Sequence, residues 1–284
     1  MNPTELRSIV RIRELQRWAD TTRAAGLRIA LVPTMGALHE GHLSLVRLAR
    51  ACADRVVVSI FVNPTQFGPN EDFDHYPSDL EGDCEQLRAA GVDVVFTPEV
   101  REMYPAGEAT WVVVERLTAE LCGRGRPGHF RGVSTVVMRL LLCAKPHAAV
   151  FGEKDYQQLA VIRRMVRDLH LDVEVVAGPT VREPDGLAKS SRNAYLSPEG
   201  RRQAPAMNAA LVEARRLWSA GERNPERLLA GVRERIEKEP LIELEYAELR
   251  SADELEELER LDRPAVLAVA ARVEGTRLID NVVL

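Results

Sequence analysis

The chain has 284 residues, enough for one large domain or two modest ones, and a core of that size needs neither a disulfide nor a structural metal. Hydrophobic residues at 45% and charged residues at 29% are the balance of a globular protein, and a formal net charge of -5 argues against a nucleic-acid partner. Cys52, Cys84, Cys122 and Cys143 form no C-x-x-C pair, which sets aside a zinc ribbon and a disulfide framework and points to reduced thiols in the cytoplasm.

In chain order, the charged N-terminal stretch lacks the apolar segment of a signal peptide, and residues 5–25 read as a helix closed by Gly26. RIALV (28–32) reads as a strand stopped by Pro33, and 40–52 as a helix with Leu43, Val46 and Leu48 at helical spacing. RVVVSIFV (55–62) is a continuous apolar run, as in a strand buried on both faces, and far too short to span a bilayer. A long loop, NPTQFGPNEDFDHYP, leads to a helix over 78–90 and a strand at VDVVF (92–96). WVVV (111–114) is strand-like, 133–144 is an apolar helix, AAVFG (148–152) a strand, 155–170 a helix and DVEVV (172–176) a strand.

Strands alternating with helices over about 175 residues predict βαβ units: a Rossmann-like, doubly wound parallel sheet, with ligands at the carboxyl ends of the strands. The pattern changes after Gly178-Pro179. Residues 198–238 are mostly helical and charged, and LEYAELRS, AVLAVAARV and TRLIDNVVL follow as closely spaced strands with a hairpin turn at 274–276. The expected division is an α/β domain over 1–180 and a smaller α+β domain over 181–284. ELEELER (254–260) reads as a solvated helix face.

PTMGALHEGH (33–42) falls at the junction of strand, tight loop and helix start. A helix start offers unpaired N–H groups and a positive dipole end, and so attracts anions. His39 and His42, three apart, project from one side of the first turn, while Gly36 and Gly41 let backbone approach a ligand. A phosphate cradle with two imidazole donors fits; a plain capping loop would suit either histidine alone, and two histidines without further ligands make a thin metal site. Downstream, LAKSSRN (187–193) sets Lys189, Ser190, Ser191 and Arg192 in a row, which suits a loop gripping a polyphosphate. The G-x-G-x-x-G at Gly123, Gly125 and Gly128 is a decoy for a dinucleotide fingerprint, because it carries Pro127 and follows a helix. Arg124, Arg126 and Arg131 read instead as an anion-attracting lid. Asp83 reads as a helix-face acid, the alternative being contact through water with a Mg²⁺-bound phosphate.

In order and spacing, PTMGALHEGH, FVNPTQF (61–67), GRPGHFRGV (125–133), FGEKDYQQL (151–159) and GLAKSSRNAYLS (186–197) make the chain resemble the pantothenate synthetase family of the HxGH nucleotidyltransferase-like superfamily. Lys189 departs from the family, many of whose members carry an apolar residue there. The resemblance implies condensation of pantoate with β-alanine: ATP is attacked by the pantoate carboxylate, pyrophosphate leaves, and the amine then displaces AMP from a pantoyl adenylate. It implies His42, His39, Lys154, Ser190, Ser191 and Arg192 as catalytic, with His42 the proton donor. It implies ATP contacts along Met35, Gly36, Ala37, Leu38, His39, Glu40, Gly41 and His42, at Gly152, Glu153, Lys154 and Asp155, and at Val181 and Lys189. Gln66 and Gln158 would hold pantoate, with Gln66 also serving β-alanine, and Val133, Val136 and Val137 would meet the pantoate methyls or simply fill the core. Mg²⁺ would accompany the triphosphate on phosphate oxygens and water rather than in a protein cage, and a cytoplasmic homodimer is implied. The rivals are another HxGH-class nucleotidyltransferase and a nucleotide-binding module without turnover; the absence of G-x-x-x-x-G-K-[ST] disfavours a kinase-like ligase.

Overall fold

The structure, a computed structural model, describes residues 6–69, 71, 73 and 76–284. Position 5, where the predicted first helix begins, and four positions of the 63–77 loop lie outside the described residues. The chain divides into two compact units, one of Met1–Glu115, Arg126–Glu153 and Val161–Pro179, the other of Arg116–Gly125, Lys154–Ala160 and Thr180–Leu284.

The first unit is built on a six-stranded sheet of β1 (Arg7–Ile9), β2 (Ile29–Thr34), β3 (Arg55–Ile60), β4 (Val94–Phe96), β5 (Ala148–Gly152) and β6 (Glu174–Gly178). The order is β1-β4-β3-β2-β5-β6 and every pairing is parallel, as the βαβ alternation predicts. The helices of this part of the chain are α1 (Ile12–Ala24), α2 (Glu40–Cys52), α3 (Leu80–Ala89), the short α4 (Val100–Met103) and α5 (Cys122–Gly125), α6 (His129–Ala144) and α7 (Tyr156–Asp168), of which α5 and the start of α7 group with the second unit. Strand side chains alternate between faces. Ala30, Val32, Val56, Val58, Ala148 and Val150 pack with Leu45, Val46 and Ala49 of α2 and Leu87 of α3 in one core, while α1 and α6 pack on β2.

The second unit carries α8 (Pro198–Gln203), α9 (Ala206–Ser219), α10 (Pro225–Glu237) and an antiparallel sheet of β7 (Ile242–Ser251), β8 (Ala265–Val273) and β9 (Thr276–Val283). The hairpin turn predicted at 274–276 is present as two residues, Glu274 and Gly275 with φ of 50° and 85°, Thr276 already pairing with Val273. Its core joins Met207, Leu211, Leu228 and Ile236 of the helices to Leu249, Leu267 and Val269 of the sheet.

Four expectations are corrected. Arg7–Ile9 is a strand paired with Val94–Phe96, and the first helix begins only at Ile12; Ile9 is buried by that pairing, a long-range contact that overrides local helix periodicity. Pro33 does not stop β2. The Thr34 carbonyl accepts from Phe61 N on the β3 side, so Pro33 faces the β5 side, where pairing has ended at Leu31 and no donor is required. Residues 111–114 form no strand: Val112 donates to Thr135 Oγ1 and its carbonyl accepts from Ser134 Oγ, so α6 side chains satisfy the backbone that a ladder would otherwise pair. Residues 254–260 are turns with one isolated bridge rather than a helix, because Leu255 takes a left-handed φ of 56°.

Candidate functional site

In the first unit, strands β2, β3 and β4 follow one another to one side, and β5 and β6 run to the other, so the order reverses between β2 and β5. Loops leaving these two strands diverge and open the crevice in which doubly wound sheets bind ligands. Met35–His39 leaves β2 and Glu153 leaves β5, so the two segments read from sequence as nucleotide-binding flank this switch point.

The 35–39 loop is shaped from below. Gly36 has φ of 87°, and a Cβ there would press on Asp83 Oδ2 and on Ile60 Cγ2 at 3.1 Å each. Asp83, read from sequence as a helix-face acid, is only 3% exposed; its Oδ1 accepts from Leu38 N at 2.7 Å and the carboxylate also bonds the Ala37 backbone. Burial raises its pKa against the opposing pull of those two N–H groups. Asp83 thus fixes the entry into α2.

His39 is the N-cap of α2. Its Nδ1 accepts from Gly41 N at 3.1 Å, and His42 Nδ1 accepts from His39 N at 3.3 Å, a reciprocal capping box made of two imidazoles. The rings stand 4.1 Å apart. With both Nδ1 atoms accepting, each neutral ring carries its proton on Nε2 and presents it as a donor. The capping and phosphate-cradle readings are therefore compatible: the cap orients the donors at the positive end of a 13-residue helix. Glu40 is ion-paired with Arg47 at 2.5 Å.

Gln66 lies beside this loop. Its Nε2 donates to Met35 Sδ at 3.1 Å and its Oε1 accepts from Asn63 Nδ2 at 3.0 Å. Asn63, 1% exposed, is the hub of the segment after β3: its Nδ2 donates to Gly132 O, and its Oδ1 accepts from Thr65 and from Tyr104 Oη. A Cβ on Gly132 would overlap the Thr65 carbonyl, so α6 can approach this segment only at a glycine. His129 adds a second brace. Arg126, which can only donate, bonds its Nε2 at 3.0 Å, so Nδ1–H donates to Gln66 O at 2.8 Å. Arg126 in turn grips Glu71 through two bonds of 2.5 and 2.7 Å.

The arginines of the predicted lid all have partners. Arg126 is held by Glu71, Arg124 pairs with Glu120 and Glu248, and Arg131 lies 4.7 Å over the Trp111 ring, so each cation is already engaged. Val133, Val136 and Val137 are buried in α6 as core.

In the second unit, Val181–Lys189 forms a small hairpin with an Arg182–Ala188 bridge and a Lys189 N to Val181 O bond of 2.9 Å. Ser190 then caps a 3₁₀ turn over Ser191–Tyr195 by accepting from Arg192 N. Lys189 Nζ lies 3.6 Å from Glu183, and Lys154 Nζ lies 3.8 Å from Asp155. Lys154 and Ser190, two predicted catalytic residues, line one small cavity together with Asn193 and Asp280. Gln158 is half-buried on the first turn of α7, whereas the neighbouring Gln157 is buried and braces the backbone at Leu117, Glu120 and Cys122.

Sequence reasoning missed Asn63, Asp83 in its true role, Gln157 and the Asp280-Asn281 pair. Asn63 carried a local signal, because Asn-Pro marks a turn. The others carried none, since their partners stand 35 or more residues away. No group of three or more His, Cys, Asp and Glu among the described residues is placed to hold a metal ion.

Residues 7–283 match the family model described as pantoate-beta-alanine ligase. A pantothenate synthetase of Pelotomaculum thermopropionicum is 54% identical over 96% of this chain and 97% of its own length. One of Geobacter sulfurreducens is 52% identical over 98% and 99%. Among solved structures, the pantothenate synthetase of Thermus thermophilus superimposes with a TM-score of 0.91 at 48% identity over 98% of this chain and 99% of that one. The pantoate-beta-alanine ligase of Francisella tularensis, complexed with beta-gamma ATP and beta-alanine, gives 0.79 at 33% identity over 98% and 97%.

Proposed function

The chain belongs to the pantoate-beta-alanine ligase family, and from that premise we propose that it condenses pantoate with β-alanine, converting ATP to AMP and pyrophosphate through a pantoyl adenylate. An amine cannot displace a carboxylate oxygen directly. Attack of the pantoate carboxylate on the α-phosphorus of ATP expels pyrophosphate and turns that oxygen into a good leaving group. β-Alanine nitrogen then adds to the acyl carbon, the bond to AMP breaks, and the amine proton is released.

Adenylation gathers negative charge on the phosphate oxygens, so it calls for positioning and charge stabilisation. His39 and His42 supply Nε2–H donors at the α2 N-terminus, and His42 serves as proton donor to the departing phosphate. Met35–Leu38, Glu40 and Gly41 line the nucleotide, Gly152–Asp155 and Val181 wrap adenosine, and Lys154, Lys189, Ser190, Ser191 and Arg192 act on the phosphates. Gln66 and Gln158 hold pantoate, and Gln66 also β-alanine. Mg²⁺ travels with the triphosphate on its oxygens and water. We assign nucleotide and pantoate binding to residues 1–180, the phosphate-gripping loop to 181–284, and a cytoplasmic homodimer as the working form. No helix among the described residues is long and apolar enough to cross a membrane.

The observation that carries the reading is the imidazole capping box at the switch point, within a family match over 7–283. Incubation with ATP, Mg²⁺, pantoate and β-alanine should give AMP, pyrophosphate and pantothenate in equal amounts. ADP and phosphate as products would exclude an adenylate.

A further inference from the structure

We propose that Asp280 and Asn281, neighbours on β9, are positioning residues that set two nucleotide-gripping segments, Lys154 and the hairpin leading into Lys189–Arg192. The inference rests on the reading that these segments hold the triphosphate.

Asp280 stands between Leu278 and Val282 on the side of β9 that packs in the core, where a hydrophobe is the ordinary occupant. It is 4% exposed. A carboxylate so placed is costly unless it is paired and fully hydrogen-bonded. Arg182 supplies the partner through a two-pronged contact, Nη1 to Oδ2 at 2.6 Å and Nη2 to Oδ1 at 2.9 Å, and Asn281 N donates a third bond to Oδ1 at 2.8 Å. Arg182 Nη1 also donates to Gly186 O at 3.1 Å, so one guanidinium ties the far end of the hairpin to β9.

The register set at Arg182 is carried onward. Arg182 bridges Ala188, Ala188 O accepts from Asn193 Nδ2 at 3.1 Å, and Lys189 N bonds Val181 O. Asn281 points the other way along the alternating strand, and its Nδ2 donates to Lys154 O at 2.9 Å. Lys154, Ser190, Asn193 and Asp280 border one cavity of about 10 Å³, room for roughly one water. One dipeptide near the end of the chain thus holds the backbone of Lys154 and the base of the Ser190 loop around a shared space.

The test compares parent, Asp280→Asn, Arg182→Lys and Asn281→Ala in two half-reactions, with thermal unfolding as a parallel readout. The first is pantoate-dependent ATP–pyrophosphate exchange; the second is conversion of synthetic pantoyl adenylate and β-alanine to pantothenate. Because an ångström-scale misplacement costs up to ~100-fold in rate, exchange at limiting ATP should fall roughly 10- to 100-fold in Asp280→Asn and Asn281→Ala. The adenylate-consuming half, which needs no grip on departing pyrophosphate, should fall by a much smaller factor. Arg182→Lys keeps the charge but loses the fork, and should show the same split more mildly if Asp280→Asn does not fold. Equal losses in both halves, or exchange at the parent rate, would overturn the inference. Exchange missing from the parent itself would strike the functional reading and the inference with it.

Discussion

The loop over residues 35–42 and the hairpin over residues 181–189 are held over very different distances along the chain. In the loop, the bonds that orient the imidazoles span two and three residues, with Asp83 adding one brace 45 residues away. The hairpin hangs on a contact spanning 98 residues, and Lys154 on one spanning 127. A helix cap forms wherever its helix forms. A buried ion pair to β9 exists only once the second sheet has assembled, so the geometry of the hairpin is a property of the whole unit.

The comparison can be broken at its most local point. His42→Ala removes one acceptor of the capping box, worth about 1 kcal/mol of stability. As a lost general acid it should nevertheless lower pantoate-dependent exchange by roughly 10²- to 10⁴-fold. Steady-state exchange beside a circular-dichroism melt measures both, and near-parental exchange would show that the proton donor is elsewhere.

Asp83→Ala probes the buried long-range brace beneath the loop. It leaves the N–H groups of Ala37 and Leu38 without their buried acceptor, which should cost about 1–3 kcal/mol in denaturant unfolding. The apparent KM for ATP should rise with it; an unchanged KM would mean that the loop keeps its shape without this brace.

The Glu71–Arg126 pair spans 55 residues inside the first unit and gives the smallest effect. Burial by itself would raise the Glu71 carboxyl, but the hydrogen bonds and charge of Arg126 outweigh it and bring the group from 4.5 down to about 2. A depressed carboxylate contributes stability above its ordinary pKa and loses it as pH falls through the folded value. The stability gap between parent and Glu71→Gln should therefore be flat above about pH 4.5 and close as the pH falls toward 2. A gap that persists at pH 2 would assign the pair's effect to packing rather than charge.

These effects follow what could be read from residues alone. The 40–52 helix and the 148–152 strand were legible to the residue, because an amphipathic period and a Gly-bounded apolar run are local signals. Strand–helix alternation placed 35–42 at the carboxyl end of a strand; that this strand borders the switch point came only with the strand order. The 111–114 run misled because β-branched residues look alike whether a ladder or the side chains of Ser134 and Thr135 take up their backbone bonds. The arginines of 124–131 looked like a basic lid because, Glu120 beside Arg124 apart, their partners Glu71, Glu248 and Trp111 lie 20 or more residues away.

By itself the sequence determined most strands and helices of the parallel sheet from residue 29 to 178, the imidazole pair at a helix start, and the blocks that mark the family. Those features depend on contacts within a few residues. Tertiary structure alone decided that Asp83 underlies the loop, that His129 braces Gln66, and that Asp280 and Asn281 reach Arg182 and Lys154. Buried polar groups must find partners wherever the folded chain brings them, and nothing in the spacing of residues along the chain announces which partner that will be.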